Sequence, residues 1–205
     1  MGIKTISIGM MKPNKDDVIA WRGPILDRAL TQLLADVHWG DLDYLLLDLP
    51  PGTGDIAMSL GQKVPTAEVL VVTTPQQAAS EVAERAGTMA ALMNQKIIGV
   101  VENMSWLAFT APDTGKEYRI DLFGSGGGQE AADALSKRLG TEVPLLAQVP
   151  MDIELRKGGD EGDPIVTAHP ESPAAQAIVE LAKNLDSRPR GLSGMHLGVS
   201  PTNNV

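Results

Sequence analysis

The feature that most constrains this chain is a set of short apolar runs without alternation. Tyr44-Leu45-Leu46-Leu47, Glu68-Val69-Leu70-Val71-Val72-Thr73 and Ile97 to Val101 are the clearest. A strand with one wet face alternates apolar and polar residues, whereas a run apolar at nearly every position is covered on both faces, as in a parallel sheet. Longer segments of helical period lie between these runs. Ile25, Leu26, Ala29, Leu30, Leu33, Leu34 and Val37 share one broad face, with Pro24 at the start and Gly40 beyond the end. Further helices are predicted from about Gln77 to Asn94, from about Gln129 to Leu139, and from Ser172-Pro173 to Leu185, with Ser172 as N-cap. Ile3 to Ile8 and Val143 to Val149 read as additional strands. Alternating strands and helices of this kind predict an α/β fold with a doubly wound, mostly parallel sheet.

Composition narrows the function. The 205 residues suffice for one α/β domain with a sizeable core. Only 3% are aromatic, so that core is built from Leu, Ile, Val, Ala and Met. A formal net charge of −9 argues against a nucleic-acid surface, which needs clustered Lys and Arg to neutralise phosphates. A nucleotide pocket stays open, because backbone N–H groups and one Lys do most of the work there. With no cysteine, the chain can form neither a disulfide nor a thiolate metal site of its own. His38, His169 and His196 show no ligand spacing. No apolar run approaches the ~20 residues of a membrane span, and the N-terminus lacks a secretory pattern. No membrane partner and a cytoplasmic location are therefore expected. The domain is expected over residues 1–186, and the Pro-, Gly-, Ser- and Asn-rich stretch 187–205 reads as a disordered tail.

One string is far more specific than the rest: Leu45-Leu46-Leu47-Asp48-Leu49-Pro50-Pro51-Gly52-Thr53-Gly54-Asp55. A carboxylate directly after a buried strand stands at the carboxyl edge of a parallel sheet, where open α/β folds bind ligands. In P-loop enzymes an acid at that place helps to hold hydrated Mg²⁺ beside the phosphates. Pro50-Pro51 stiffens the strand exit, while Gly52 and Gly54 let the backbone approach a phosphate. The plainer alternative is a strand end, a turn, and a helix capped by Asp55.

Five segments, taken together, resemble the Mrp/MinD-type P-loop ATPases, the family of iron–sulfur cluster carriers. They are the Asp48–Asp55 string, Trp21-Arg22-Gly23-Pro24, Val71-Val72-Thr73-Thr74-Pro75-Gln76, Glu102-Asn103-Met104-Ser105 and Phe123-Gly124-Ser125-Gly126-Gly127-Gly128. The resemblance runs in order from about Gly2 to Leu185. It implies an ATP- and Mg²⁺-dependent hydrolase acting as a homodimer on iron–sulfur client apoproteins. Asp48 would take the Mg²⁺-associated role, and Gly52 would lie near the γ-phosphate. Asn103 would read the adenine edge, its amide donating and accepting at once. Pro150 and Met151 would flank the base.

Two departures bear on that expectation. The Gly-Lys-rich phosphate loop of the family has no counterpart in these 205 residues, so this polypeptide alone is expected neither to bind ATP tightly nor to hydrolyse it. The Cys-x-x-Cys that follows the Glu-Asn-Met-Ser element in the family is replaced by Trp106 to Tyr118, which reads as a hairpin turning at Asp113-Thr114-Gly115. Two other functions compete. One is a non-enzymatic dimerisation or client-binding module. The other is a MinD/ParA-like positioning ATPase, which would need a basic or amphipathic C-terminal element that the tail lacks.

Overall fold

A computed structural model describes residues 2–11, 23–49 and 54–188. Its centre is β2, Lys96–Thr110, fifteen residues long. β1 (Glu68–Thr73) runs parallel to it, paired from Glu68↔Lys96 to Thr73↔Glu102 with a register shift between Val69 and Leu70. β4 (Leu145–Met151) is also parallel to it, from Val100↔Leu145 to Asn103↔Val149. Beyond that parallel core β2 continues outward and folds back as an antiparallel hairpin with β3 (Glu117–Ile120), pairing Leu107↔Ile120 through Thr110↔Glu117. The hairpin turns at Gly115, whose φ of +64° suits a residue without Cβ. This agrees with the sequence expectation for Asp113-Thr114-Gly115.

Helices cover both faces of the sheet. α3 (Gln77–Leu92) and α4 (Gly127–Leu139) bury Ala83, Ala90, Ala131, Ala132 and Leu135 against Val71, Ile97 and Val100. On the opposite face α6 (Ile165–Ala168) and α7 (Pro173–Asp186) bury Ile165, Ala174 and Ala175 against Val101 and Val149. Neighbouring Val100 and Val101 thus enter different cores, as the two-residue period of a strand requires. Alanine at the helix contacts lets the layers approach closely and accounts for the scarcity of aromatic residues. α7 starts as expected: the Ser172 hydroxyl accepts the Ala175 N–H at 3.0 Å, and Pro173 occupies the first turn.

Two expected strands are not formed. Gly2–Ser7 is irregular and leads into a short 3₁₀ turn at Ile8–Met11. Tyr44–Leu47 is also irregular, with Leu46 88% and Tyr44 51% exposed. The reason is pairing. An apolar run becomes a strand only when neighbouring strands take up its backbone N–H and C=O groups, and among the described residues β1 pairs with β2 alone. Helices α1 (Gly23–Ala35) and α2 (Gly54–Lys63) pack on each other. They are joined through Asp27, which accepts the Ser59 hydroxyl proton and meets Lys63 Nζ at 3.3 Å.

The acidic stretch Gly158–Asp163 lies largely in α5 (Ile153–Glu161). Asp152 caps this helix, accepting from Glu154 N at 2.7 Å and Leu155 N at 3.2 Å, and Gly162 ends it in the left-handed region. Residues 189–205 of the expected tail lie outside the described residues. Arg188, just before them, grips Glu68 at the start of β1 through two 3.1 Å contacts.

Candidate functional site

Because β1, β2 and β4 are parallel, their carboxyl ends converge on one edge of the sheet. That edge carries Thr73-Thr74-Pro75, Glu102-Asn103-Met104 and Pro150-Met151. Asn103 is paired with Val149, so its backbone sits one step from buried Pro150 and half-buried Met151. Three of the residues singled out in the sequence are therefore brought together by strand register. Asp48 is exposed, on the irregular segment before residue 50. Gly52 lies outside the described residues, as do Trp21 and Arg22.

Asn103 is held by its own turn. Its Oδ1 accepts the Met104 N–H at 2.9 Å, and Met104 adopts φ +56°, a left-handed conformation uncommon for a methionine. Ser105 donates its hydroxyl to the Glu102 carbonyl at 2.9 Å, closing the same bend. The Asn103 carbonyl oxygen keeps a second lone pair and its amide two donors, the combination an adenine edge requires.

Sequence reasoning assigned no role to Glu102, yet it is the most buried acid of this edge, 1% exposed. Its Oε2 accepts the Gly128 N–H at 2.6 Å and its Oε1 accepts a proton from Gln148 Nε2 at 2.7 Å. Gly128 is the second residue of α4, whose first turn has N–H groups without intrahelical partners. The N-cap, Gly126, offers no side chain. Glu102 thus caps α4 from another strand, its negative charge facing the positive end of the helix dipole. The available signal was an acid directly following Val100-Val101 in an otherwise apolar strand.

The glycine run gains its reason here. A Cβ on Gly127 would stand 2.4 Å from the Pro75 carbonyl oxygen, and one on Gly128 would stand 2.6 Å from Glu102 Cβ. Only glycines allow α4 to begin this close to β1 and β2. Ser80 fastens the contact, donating to the Gly127 carbonyl at 2.7 Å. The run is therefore a packing device that draws the ends of β1 and β2 onto one helix start. Among the described residues no group of three or more His, Asp or Glu is disposed to hold a metal ion. No described helix is long and apolar enough to cross a membrane.

A two-sided parallel sheet with polar loops gathered at its carboxyl edge defines the nucleotide-binding class of α/β proteins. The profile of the ParA-type family described as NUBPL iron-transfer P-loop NTPases matches residues 1–186, and the chain belongs to that family. An iron–sulfur cluster carrier protein of Mycobacterium leprae is 54% identical over 200 residues, covering 98% of this chain and 51% of the relative. The carrier of Deinococcus radiodurans is 46% identical over 184 residues, covering 90% and 49% respectively. The chain therefore spans about half the length of the curated relatives it matches. Among solved structures, a nucleotide-binding protein from Archaeoglobus fulgidus in complex with ADP superposes with a TM-score of 0.53 at 36% identity, over 68% of this chain and 53% of that one. The septum site-determining protein MinD of Pyrococcus horikoshii, complexed with Mg-ADP, gives a TM-score of 0.56 at 25% identity, over 87% and 60%.

Proposed function

We propose that this chain is the nucleotide-responsive part of an ATP-dependent iron–sulfur cluster carrier that works as a homodimer on client apoproteins. The observation that carries this reading is the Asn103–Val149 pairing, which sets an amide able to read adenine beside Pro150 and Met151 at the carboxyl edge of the sheet. The nucleotide complexes of the two structural neighbours and the names of the curated relatives support it.

In this reading Asn103 orients the base, Pro150 and Met151 cover its faces, and Glu102 fixes the strand end from which Asn103 projects. Asp48 would help to hold hydrated Mg²⁺, and Gly52 would lie near the γ-phosphate. ATP with its Mg²⁺ would supply the energy of a conformational change; this chain's residues bind, orient and report it. The cluster is cargo. The 205 residues contain no cysteine, so they offer it no thiolate, and no transfer step is assigned to them. That same lack favours a second reading, a non-enzymatic module that pairs with copies or clients.

Calorimetry separates the two. The 205-residue polypeptide is expected to bind Mg-ATP weakly and to show no turnover. A version joined to the family's phosphate-loop βα unit is expected to bind at micromolar level, and Asn103→Ala is expected to weaken that binding ~10-fold, the loss of about one polar contact. No ATP binding by the joined protein would refute the nucleotide reading and leave the module.

A further inference from the structure

The helical layer of α3 and α4 has an open seam at the end far from the nucleotide edge. A groove of about 260 Å³ runs there between the last turns of the two helices, lined by Thr88, Ala91, Leu92, Arg138 and Leu139. Its floor is continuous with the interior, since Ala91 and Leu139 pack on the core that holds Val100 and Leu135. Its rim is uncovered: Leu92, the last residue of α3, is 75% exposed among the described residues. A lone exposed leucine is ordinary on a protein surface. This one stands beside a groove floored by residues of the core.

The chain itself supplies a segment that starts in the right place. α3 leads into β2 and α4 into β4, so both helices end at the amino edge of the parallel strands. α7 ends at the same edge. There Arg188 holds Glu68, the first residue of β1, and Glu68 also meets Lys96, the first residue of β2, at 3.7 Å. Lys96 follows Leu92 by only four positions. The 17 residues after Arg188 therefore begin near the groove, and fully extended they reach up to ~55 Å, at about 3.3 Å each. We propose that residues 189–205 round this edge as a strap and lay Met195, Leu197 and Val199 into the groove between α3 and α4. The docking lies away from the nucleotide edge and needs nothing from the preceding reading.

The sequence of this stretch suits a strap better than a helix. Met195, Leu197 and Val199 recur at every second position, with His196 and Gly198 between them. In an extended segment that spacing puts the three apolar side chains on one side. Gly191, Gly194 and Gly198 remove bulk where backbone would lie close against helix surfaces. The one permanent charge of the stretch is Arg190, so docking desolvates little charge. The match to the Mycobacterium leprae carrier points the same way. It takes in 98% of this chain and so runs well into 189–205, a stretch that without contacts would have little reason to stay recognisable.

Hydrogen exchange and a double-mutant cycle test the docking. In the full chain, the amides of residues 195–199 should exchange ~10-fold or more slowly than in its Leu92→Gln variant, which removes the apolar rim and keeps helix propensity. For the cycle, a second chain is ended after Arg188, so that the Glu68 contact is kept. Leu92→Gln should lower the melting temperature by ~3–6 °C in the full chain and by less than ~1 °C in the shortened one, because the contact it deletes is already gone. A peptide of residues 189–205 should bind the shortened chain and not its Leu92→Gln form. Circular dichroism shows whether each protein is folded, and the exchange measurement on the full chain decides even where the shortened one is not. Unprotected amides in the parent overturn the proposal, and so do equal losses from Leu92→Gln in both chains. A lower native mass on Leu92→Gln in both chains also overturns it, by giving the groove to a second copy.

Discussion

Replacing Glu102 by alanine tests the central claim about the sheet edge. The carboxylate accepts two hydrogen bonds, at 2.6 Å from Gly128 and 2.7 Å from Gln148. Bonds to a charged group are worth about 1.5–3 kcal/mol each when the partner is left buried and unpaired. The Gly128 N–H is buried and has no alternative, so its loss counts nearly in full. Gln148 lies on an exposed residue and can turn to water, so its loss counts for little. Removing the side chain also leaves a small void. Together these predict a destabilisation of about 3–4 kcal/mol, which for a domain of this size lowers the melting temperature by ~10 °C. Glu102→Gln keeps a carbonyl oxygen for Gly128 and should cost only about 1–2 kcal/mol. Urea titration of the three proteins, followed by circular dichroism, measures the series. An alanine variant within ~1 kcal/mol of the parent, or a glutamine variant as damaged as the alanine one, would refute the view of Glu102 as a remote helix cap.

Two other perturbations probe neighbouring features. Gly127→Ala would push a Cβ to within 2.4 Å of the Pro75 carbonyl oxygen, and backbone must move to admit it; a loss of about 1–3 kcal/mol in the same titration is expected, and no change would mean that the loop before α4 gives way freely. The Asp27 carboxyl is held below its ordinary value of 3.8, chiefly by the Ser59 hydroxyl and then by Lys63, against the opposing effect of desolvation. A lowered native value means stability that is present in full above the unfolded pKa and fades as pH falls through the native one. Thermal melts between roughly pH 2 and 6 should therefore show an acid-side loss that Asp27→Asn removes; an unchanged profile in that variant would contradict the assignment.

Much of the fold was legible because burial on both faces leaves a direct mark on sequence. Val69–Val72 and Ile97–Val101 are strands, and Ser172-Pro173 starts a helix, for the local reasons that predicted them. Tyr44–Leu47 carries the same mark yet stays irregular, since periodicity records what a segment can bury and not which neighbour takes its backbone hydrogen bonds. The site divides in the same way. Asn103, Pro150 and Met151 were found through motif, and the Asn103–Val149 register brings them together. Glu102 escaped because its partners, Gly128 and Gln148, are 26 and 46 residues away, a proximity that no local pattern encodes. The helix through the acidic stretch from Gly158 has no periodic mark of its own: Asp152 launches α5, and salt links such as Arg156–Asp160 at 2.7 Å carry it past two glycines.

The cross-strand cap has a mechanical corollary. Between the parallel half of β2 and its hairpin half lies the bend at Glu102–Ser105, and the one carboxylate within that bend is bolted on one side to the start of α4 and on the other to β4. The strand cannot roll at this point without dragging helix and neighbour along. Asn103 and the hairpin beyond it therefore both leave the sheet from one anchored point, and neither can shift at its root without straining the Glu102 bonds to Gly128 and Gln148.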